Sequence, residues 1–324
     1  MRYSIVLVHG LFGHPENTWS ADIQSEHGHP VERGDSEPQF KRTKRGDENR
    51  INRVFWPRDL LPRVFPGSRI MTWGYDVTIN HLISSSSKSS IYHHSETLLG
   101  DLASKRIDES EKETPIIFIA HSLGGIIVKD ALQLSAKDNS YLKEIAAATT
   151  GVMFLGTPHH GSKAASLGKL AFRIVQAFLQ DPNTKILQGL EVNSEILERI
   201  SRGFGQLLAA ADRIRVHSFR EELNTHGMMI VDSFSSTVGY FKETRGSLHA
   251  NHKDMARFTS SDDIKFQRVT AVLKRWISSS TQEQAILRPA PLPAQDLETL
   301  PDGLIFDEQY RTCLLSLSST DARR

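Results

Sequence analysis

The tract Pro115-Ile116-Ile117-Phe118-Ile119, running through Ala120-His121-Ser122-Leu123-Gly124-Gly125 into Ile126-Ile127-Val128-Lys129-Asp130-Ala131-Leu132, constrains this chain more than any other stretch. An unbroken apolar run reads as a strand buried on both faces, and the segment after it reads as a helix. Only a sharp turn fits between them. A serine at the apex of a strand–turn–helix unit has the pattern of a nucleophile elbow. Such a turn forces an uncommon backbone conformation while neighbouring strands pack close, so the positions two before and two after the serine must be small. Here they are Ala120 and Gly124, with Ala120 a mild departure from the usual glycine. Ser122 is thus the candidate nucleophile. The competing reading is a glycine-rich turn whose serine merely caps the helix.

A second motif supports the first reading. Ser4-Ile5-Val6-Leu7-Val8 is a buried-strand pattern ending in His9-Gly10-Leu11-Phe12-Gly13. Acyl transfer places negative charge on a carbonyl oxygen, which two backbone N–H groups can stabilise; one such donor is worth about 2.7–4 kcal/mol in a well-studied protease. One donor is expected at Leu123, just after the nucleophile. The other is expected in the loop after the first strand, where Gly10 lets the backbone approach, at Leu11 or alternatively Phe12.

The remaining roles lie downstream, because this arrangement orders its residues as Ser, acid, His. The serine needs a base that a carboxylate orients. Within Ser247-Leu248-His249-Ala250-Asn251-His252, His252 is the expected base and His249 its competitor. Two strand-like runs precede it, Arg213–Phe219 and Met228–Val231. If the acid follows the first, it is Glu221, with Glu222 beside it; if the second carries it, it is Asp232.

With these pieces placed, the stretch from Met1 to about Ile277 resembles the serine-esterase or lipase-like α/β-hydrolase domains at the N-terminus of fungal NOD-like receptors, which are related to serine-active-site-containing proteins. The residues that carry the resemblance are His9-Gly10-Leu11-Phe12-Gly13, Val54-Phe55-Trp56-Pro57-Arg58-Asp59-Leu60-Leu61-Pro62, Ile70-Met71-Thr72-Trp73-Gly74-Tyr75, Ala120 to Gly125, Gly151-Val152-Met153-Phe154-Leu155-Gly156-Thr157-Pro158-His159, Ser218-Phe219-Arg220-Glu221 and Asn251-His252. Relatives often have Phe-Tyr-Glu at Phe219-Arg220-Glu221 and Asp-His at Asn251-His252; neither change removes a triad group. The resemblance implies a serine hydrolase acting as an effector module, and it favours Glu221 as the acid. It also makes Gly156 to His159 a wall of the active site.

The fold expected from the pattern is a mostly parallel, doubly wound sheet flanked by helices. Its strands are Ser4–Val8, Arg69–Trp73, Pro115–Ile119, Val152–Leu155, Arg213–Phe219 and Met228–Val231. Its helices lie near His93–Ile107, Leu123–Ser135, Ser162–Ala210 and Asp262–Ile277. The resemblance makes this an α/β-hydrolase fold with a helical insertion after the sixth-strand position. The apolar stripe of that insertion is read as core before it is read as an acyl-binding groove. The polar segment from about Gln24 to Arg50 is expected to be a surface insertion, and Ser84 to Ser90 a loop.

The hydrolase domain is expected over residues 1–278. Residues 279–324 are expected to hold an extended Pro/Ala linker, around Pro289-Ala290-Pro291-Leu292-Pro293-Ala294, and the start of a segment leading to a nucleotide-binding domain. The alternative is a stand-alone hydrolase with a tail. No G-x-x-x-x-G-K-[ST] occurs, so no ATPase is encoded in these residues. The single Cys313 fits a reducing compartment, no leader precedes the first strand, and no apolar run approaches the roughly 18 residues of a membrane span, so a cytoplasmic location is expected. A balance of 39 basic against 38 acidic residues provides no field for nucleic acid. The pairs His93-His94 and His159-His160 are poor chelates, because adjacent side chains point apart. No metal or cofactor is expected. The expected partners are an ester or lipid-like substrate and the nucleotide-binding oligomerisation domain.

Overall fold

The computed structural model describes residues 2–23, 53–75, 87–159, 194–225, 227, 229–231, 235–287, 304–307 and 312–315. Six parallel strands form its main sheet: β1 (Ser4–Val8), β2 (Arg69–Trp73), β3 (Ile116–His121), β4 (Thr149–Leu155), β5 (Arg215–Glu221) and β6 (Thr244–Leu248). Their order is β2-β1-β3-β4-β5-β6. The chain therefore leaves β1 for one edge, crosses back, and winds outward to the other edge. That reversal puts the switch point between β1 and β3, and ligands of open α/β sheets bind beyond the carboxyl ends of the strands there.

Strand alternation divides the core in two. Ile5 and Leu7 of β1, Ile117 and Ile119 of β3, and Met153 and Leu155 of β4 face a layer built from α4 (Ile264–Leu287), through Phe266, Val269, Leu273 and Trp276, and from Trp19, Trp56 and Phe258. Val6, Val8, Phe118, Ala120, Val152 and Phe154 face the other way. They pack against α1 (Ser87–Ser104), α2 (Gly124–Lys137) and α3 (Ser194–Ala210), through Leu98, Leu102, Val128, Leu132, Phe204 and Leu208. The central strands β1 and β3 are buried on both faces, which is why their sequences are almost unbroken apolar runs; each buried Val, Leu or Ile contributes about 1.5–3 kcal/mol. This is the α/β-hydrolase fold, a parallel doubly wound sheet with helices on both faces. The described part of the helical insertion, α3, lies between β4 and β5, and its apolar residues are core.

Four expectations need correction. Met229–Val231 is not a strand: its backbone bends, and Ile230 and Val231 are buried without joining the sheet. The sixth strand is instead Thr244–Leu248, an edge strand in which Leu248 is the buried residue; edge strands carry polar side chains that hide them from a hydrophobic pattern. Ser87 to Ser90 is helical, forming the first turn of α1. The segment after Ile277 begins as helix, since α4 continues through the Ser/Thr run to Leu287. The polar segment from Gln24 to Arg50, residues 84–86 of the expected serine loop, the expected helix over 162–193, and the Pro/Ala stretch all lie outside the described residues.

The chain divides into two units, Met1–Ile277 and Ser278–Arg324. In the second, Leu304–Asp307 pairs antiparallel with Thr312–Leu315.

Candidate active site

Ser122 follows directly on β3, at the switch point, with φ at 54°. Phe12, at φ 55°, is the other non-glycine residue in the left-handed region among the described residues. Each such residue costs on the order of 1–3 kcal/mol and persists only where its surroundings enforce it. At Ser122 the enforcement is visible. Its N–H donates to Leu155 C=O at 2.9 Å, and its C=O accepts the Thr157 hydroxyl at 3.0 Å and the Gly125 N–H at 3.1 Å. Side chains are excluded on two sides: a Cβ at Gly124 would lie 2.3 Å from His9 O, and one at Gly10 would lie 2.6 Å from Ser122 Cβ. The elbow is thus wedged against the end of β1, and the His9–Gly13 loop runs past the serine.

That loop is a tight turn, with Gly13 N–H donating to Gly10 C=O at 3.0 Å. His9 anchors it. Its Nδ1–H donates to Gly10 C=O at 2.9 Å and its Nε2 accepts the Tyr75 N–H at 3.3 Å, while the Tyr75 hydroxyl donates to His9 C=O at 2.9 Å. The two rings stack with centroids 4.6 Å apart. Among the described residues, neither the Leu11 nor the Leu123 N–H has a hydrogen-bond partner. They are the two amides expected to act on an oxyanion.

His252 reaches the site from 130 residues downstream and is fully buried. Its Nε2 lies 3.0 Å from Ser122 Oγ, and its Nδ1 lies 3.4 Å from Glu221 Oε2. Glu221, the last residue of β5, is also buried, and its Oε1 accepts the Val231 N–H at 2.7 Å. Glu221 Oε2 and His252 Nδ1 have no other partner among the described residues. Buried polar atoms are nearly always paired, and each of these two faces the other at 3.4 Å.

The structure brings Ser122, His252 and Glu221 together, with Leu11, Phe12 and Leu123 alongside. Asp232, the alternative acid, lies outside the described residues. His249, the alternative base, faces solvent beside Glu222. His93 lies near Glu96, and the His94 ring packs on Tyr75. His159 is buried edge-on to Phe154, and His160 lies outside the described residues. Several contributors had no role in the sequence reading. His121 donates from Nε2–H to His252 C=O at 2.8 Å, and its ring lies 5.0 Å from the His252 ring. Tyr75 and the Val231 amide are the others, and Thr157, expected only as part of the active-site wall, donates to the Ser122 carbonyl. Tyr75 and Thr157 stand inside the motifs quoted above, but their contacts are long-range and leave no local signature.

Burial sets the charge state of this framework. It pushes the pKa of His9 down to about 4 and of His217 to about 4; burial, then the nearby His252, pushes that of His121 to about 3. Lys129 on α2 is fully buried, and burial lowers it to about 7. The unfolded chain takes up these protons at the ordinary values, so it binds more protons than the native state between about pH 4 and 6.5 for the histidines, and between about 7 and 10.5 for Lys129. Native stability therefore falls as pH drops through the first window and rises as pH climbs through the second. Asp130, whose pKa burial raises, opposes the first trend. Lowering the pH from 7 to 5 is expected to cost on the order of a few kcal/mol, read as an earlier urea midpoint. An unchanged midpoint would mean that these histidines carry charge in the native state.

No family model matches the chain. It is similar to protein SERAC1 of Bos taurus, 27% identical over 283 residues covering 85% of this chain and 39% of SERAC1. It is similar also to protein SERAC1 of Homo sapiens, 24% identical over 291 residues covering 87% and 40% respectively. The chain thus spans about 40% of the length of these curated relatives. Among solved structures, an esterase from Pyrococcus furiosus aligns at 12% identity with a TM-score of 0.44, covering 85% of this chain and 82% of that one. By its own strand order and the position of its elbow, the chain is an α/β-hydrolase in fold, similar in sequence to SERAC1.

Proposed function

We propose that the chain is a serine hydrolase that cleaves carboxylic esters, with lipid-like acyl groups, through an acyl-enzyme on Ser122. The observation that carries this reading is the 3.0 Å contact between Ser122 Oγ and His252 Nε2 on a strained elbow at the switch point. The Ser122 hydroxyl gives its proton to His252 Nε2 as Oγ attacks the ester carbon, and the carbonyl oxygen becomes an oxyanion held by the Leu11 and Leu123 amides. Collapse of this intermediate expels the alcohol, which takes the proton from His252. Water then attacks the acyl-enzyme by the same route, releasing the acid and restoring the serine. Glu221 holds the imidazole in the tautomer that leaves Nε2 free to accept, and it stabilises the imidazolium while it lasts. The same steps serve a thioester or an amide, with a different leaving group.

The motif resemblance and the Pro/Ala composition after Arg288 support a wider reading. In it, this hydrolase is the N-terminal effector of a fungal NOD-like receptor, followed by a nucleotide-binding oligomerisation domain and working in the cytoplasm. Among the described residues, no helix is long and apolar enough to cross a membrane.

A fluorophosphonate probe tests the chemistry. Intact mass and peptide mapping are expected to show one adduct, on the peptide carrying Ser122. Absence of that adduct, in the isolated chain and in the chain fused to an oligomerising domain, would sink the hydrolase reading. A p-nitrophenyl ester series from acetate to palmitate tests the acyl group. Rising kcat/KM with chain length is expected, and a flat series would remove the lipid preference.

A further inference from the structure

Glu221 and Glu222 are neighbours on one extended backbone, so alternation turns the first carboxylate into the core and the second outward. The outer one is not idle. Its Oε1 accepts the Ser247 hydroxyl, and its Oε2 lies 3.2 Å from His249 Nδ1. The backbone follows the same path: Glu222 N–H donates to Leu248 C=O at 3.1 Å and Ala250 C=O at 3.2 Å, and Leu223 N–H donates to Ala250 C=O at 3.1 Å. From α4, Arg268 Nη1 donates to Ser247 C=O at 2.7 Å. The residues gripped in this way, 247–250, end two positions before His252. From there the Asn251 side chain takes over, its Oδ1 accepting the N–H groups of Lys253 at 3.1 Å and Asp254 at 2.9 Å.

These ties between the end of β5 and the turn that delivers His252 therefore start beside Glu221. His121 holds the His252 carbonyl from β3, and the separation between Glu221 and His252 then depends on how this turn sits on β5, where the Glu222 carboxylate spans the two. We propose that Glu222 is a positioning residue, whose hold on Ser247 and His249 fixes the distance between the Glu221 carboxylate and the His252 ring. The inference rests on the reading of Ser122 and His252 as nucleophile and base. It gives a purpose to His249, the competitor of His252 in the sequence, and to Glu222 beside Glu221: the structure pairs them with each other on the outer face.

A displacement of 1 Å in such a constellation can cost about a hundredfold in rate, and the backbone ties would survive loss of the side chain, so a smaller loss is expected here. Glu222→Ala is expected to lower kcat for a short p-nitrophenyl ester about tenfold with KM unchanged, and with little change in Tm because the residue lies at the surface. Glu222→Gln keeps an acceptor for Ser247 and an amide for His249 while removing the charge, and is expected to restore most of kcat. Ser247→Ala should fall between the two. A Glu222→Ala kcat within twofold of the parent overturns the proposal. So does a Glu222→Gln variant as impaired as Glu222→Ala, because the effect would then be one of charge. Amide hydrogen exchange supplies a readout independent of turnover: Glu222→Ala is expected to speed exchange at Leu223 and Ala250 by about tenfold or more while the strands of the sheet stay protected. If the parent protein cleaves no ester, the ester-hydrolase reading fails and exchange alone tests the hold of Glu222 on the turn, with unchanged exchange at both amides overturning it.

Discussion

Ser122→Ala and His252→Ala are each expected to lower kcat about a million-fold, and the double variant is expected to lose no more than either alone. The non-additivity is the informative part. Oγ becomes a competent nucleophile only as Nε2 takes its proton, so with one partner gone the other has nothing left to contribute. Both side chains are buried, but neither replacement should disturb the fold. Alanine keeps the Cβ at position 122, where the left-handed backbone is held by the Leu155, Thr157 and Gly125 hydrogen bonds rather than by the hydroxyl. At position 252 the backbone carbonyl still accepts from His121. The measurement is steady-state hydrolysis of a p-nitrophenyl ester, with fluorophosphonate labelling as a second readout and thermal melts to establish folding. The Leu11 and Leu123 amides remain, so the variants should still exceed the rate in water by about 10³–10⁴. A His252→Ala variant retaining more than about one per cent of kcat would show that another group accepts the serine proton, and multiplying losses in the double variant would show that the two act separately.

What could be read along the chain, and what could not, follows from how far each contact reaches. Ser4–Val8 has the same bounds in the sequence pattern as in the structure, because a strand inside a parallel sheet is apolar almost throughout; Arg69–Trp73 keeps its bounds too, although it is an edge strand and only Trp73 is fully buried. The elbow is equally local: strand, turn and helix are contiguous, and the need for a missing Cβ at Gly124 is written into the residue itself. Thr244–Leu248 escaped notice because an edge strand with one buried residue has no hydrophobic period. Met229–Val231 misled for the opposite reason. Ile230 and Val231 are buried as a plug, and what the segment offers the sheet is one amide, donated to Glu221. The serine runs at Ser87–Ser90 and Ser278–Thr281 look like loops by composition, yet helix continues through both, an example of context overriding weak propensity. In the site, the order of Ser, acid and His along the chain was enough to choose candidates. The roles of His121 and Tyr75 were not legible, since each depends on a backbone carbonyl brought close by the sheet.

Glu221→Gln is expected to lower kcat about ten-thousandfold at pH 7, the size of the loss that the corresponding change produces in a well-studied serine protease. The amide matches the carboxylate in shape, so its Oε1 can go on accepting the Val231 N–H while its NH2 group faces His252 Nδ1. A donor in that place forces the imidazole to accept at Nδ1 and carry its proton on Nε2. Nε2 then points a proton at Ser122 Oγ instead of a lone pair, and the serine cannot be deprotonated. The expected signature is a collapse of kcat with KM and thermal stability nearly unchanged. Glu221→Ala should differ in kind: it strips the buried Val231 amide and the His252 ring of their partners, at about 1–3 kcal/mol for each unsatisfied group, and so lowers stability as well as rate. Comparing the two variants separates the tautomer from the packing. If Glu221→Gln kept kcat within tenfold of the parent, the carboxylate that orients His252 would have to be another, and Asp232, the alternative acid of the sequence reading, would be the first to test.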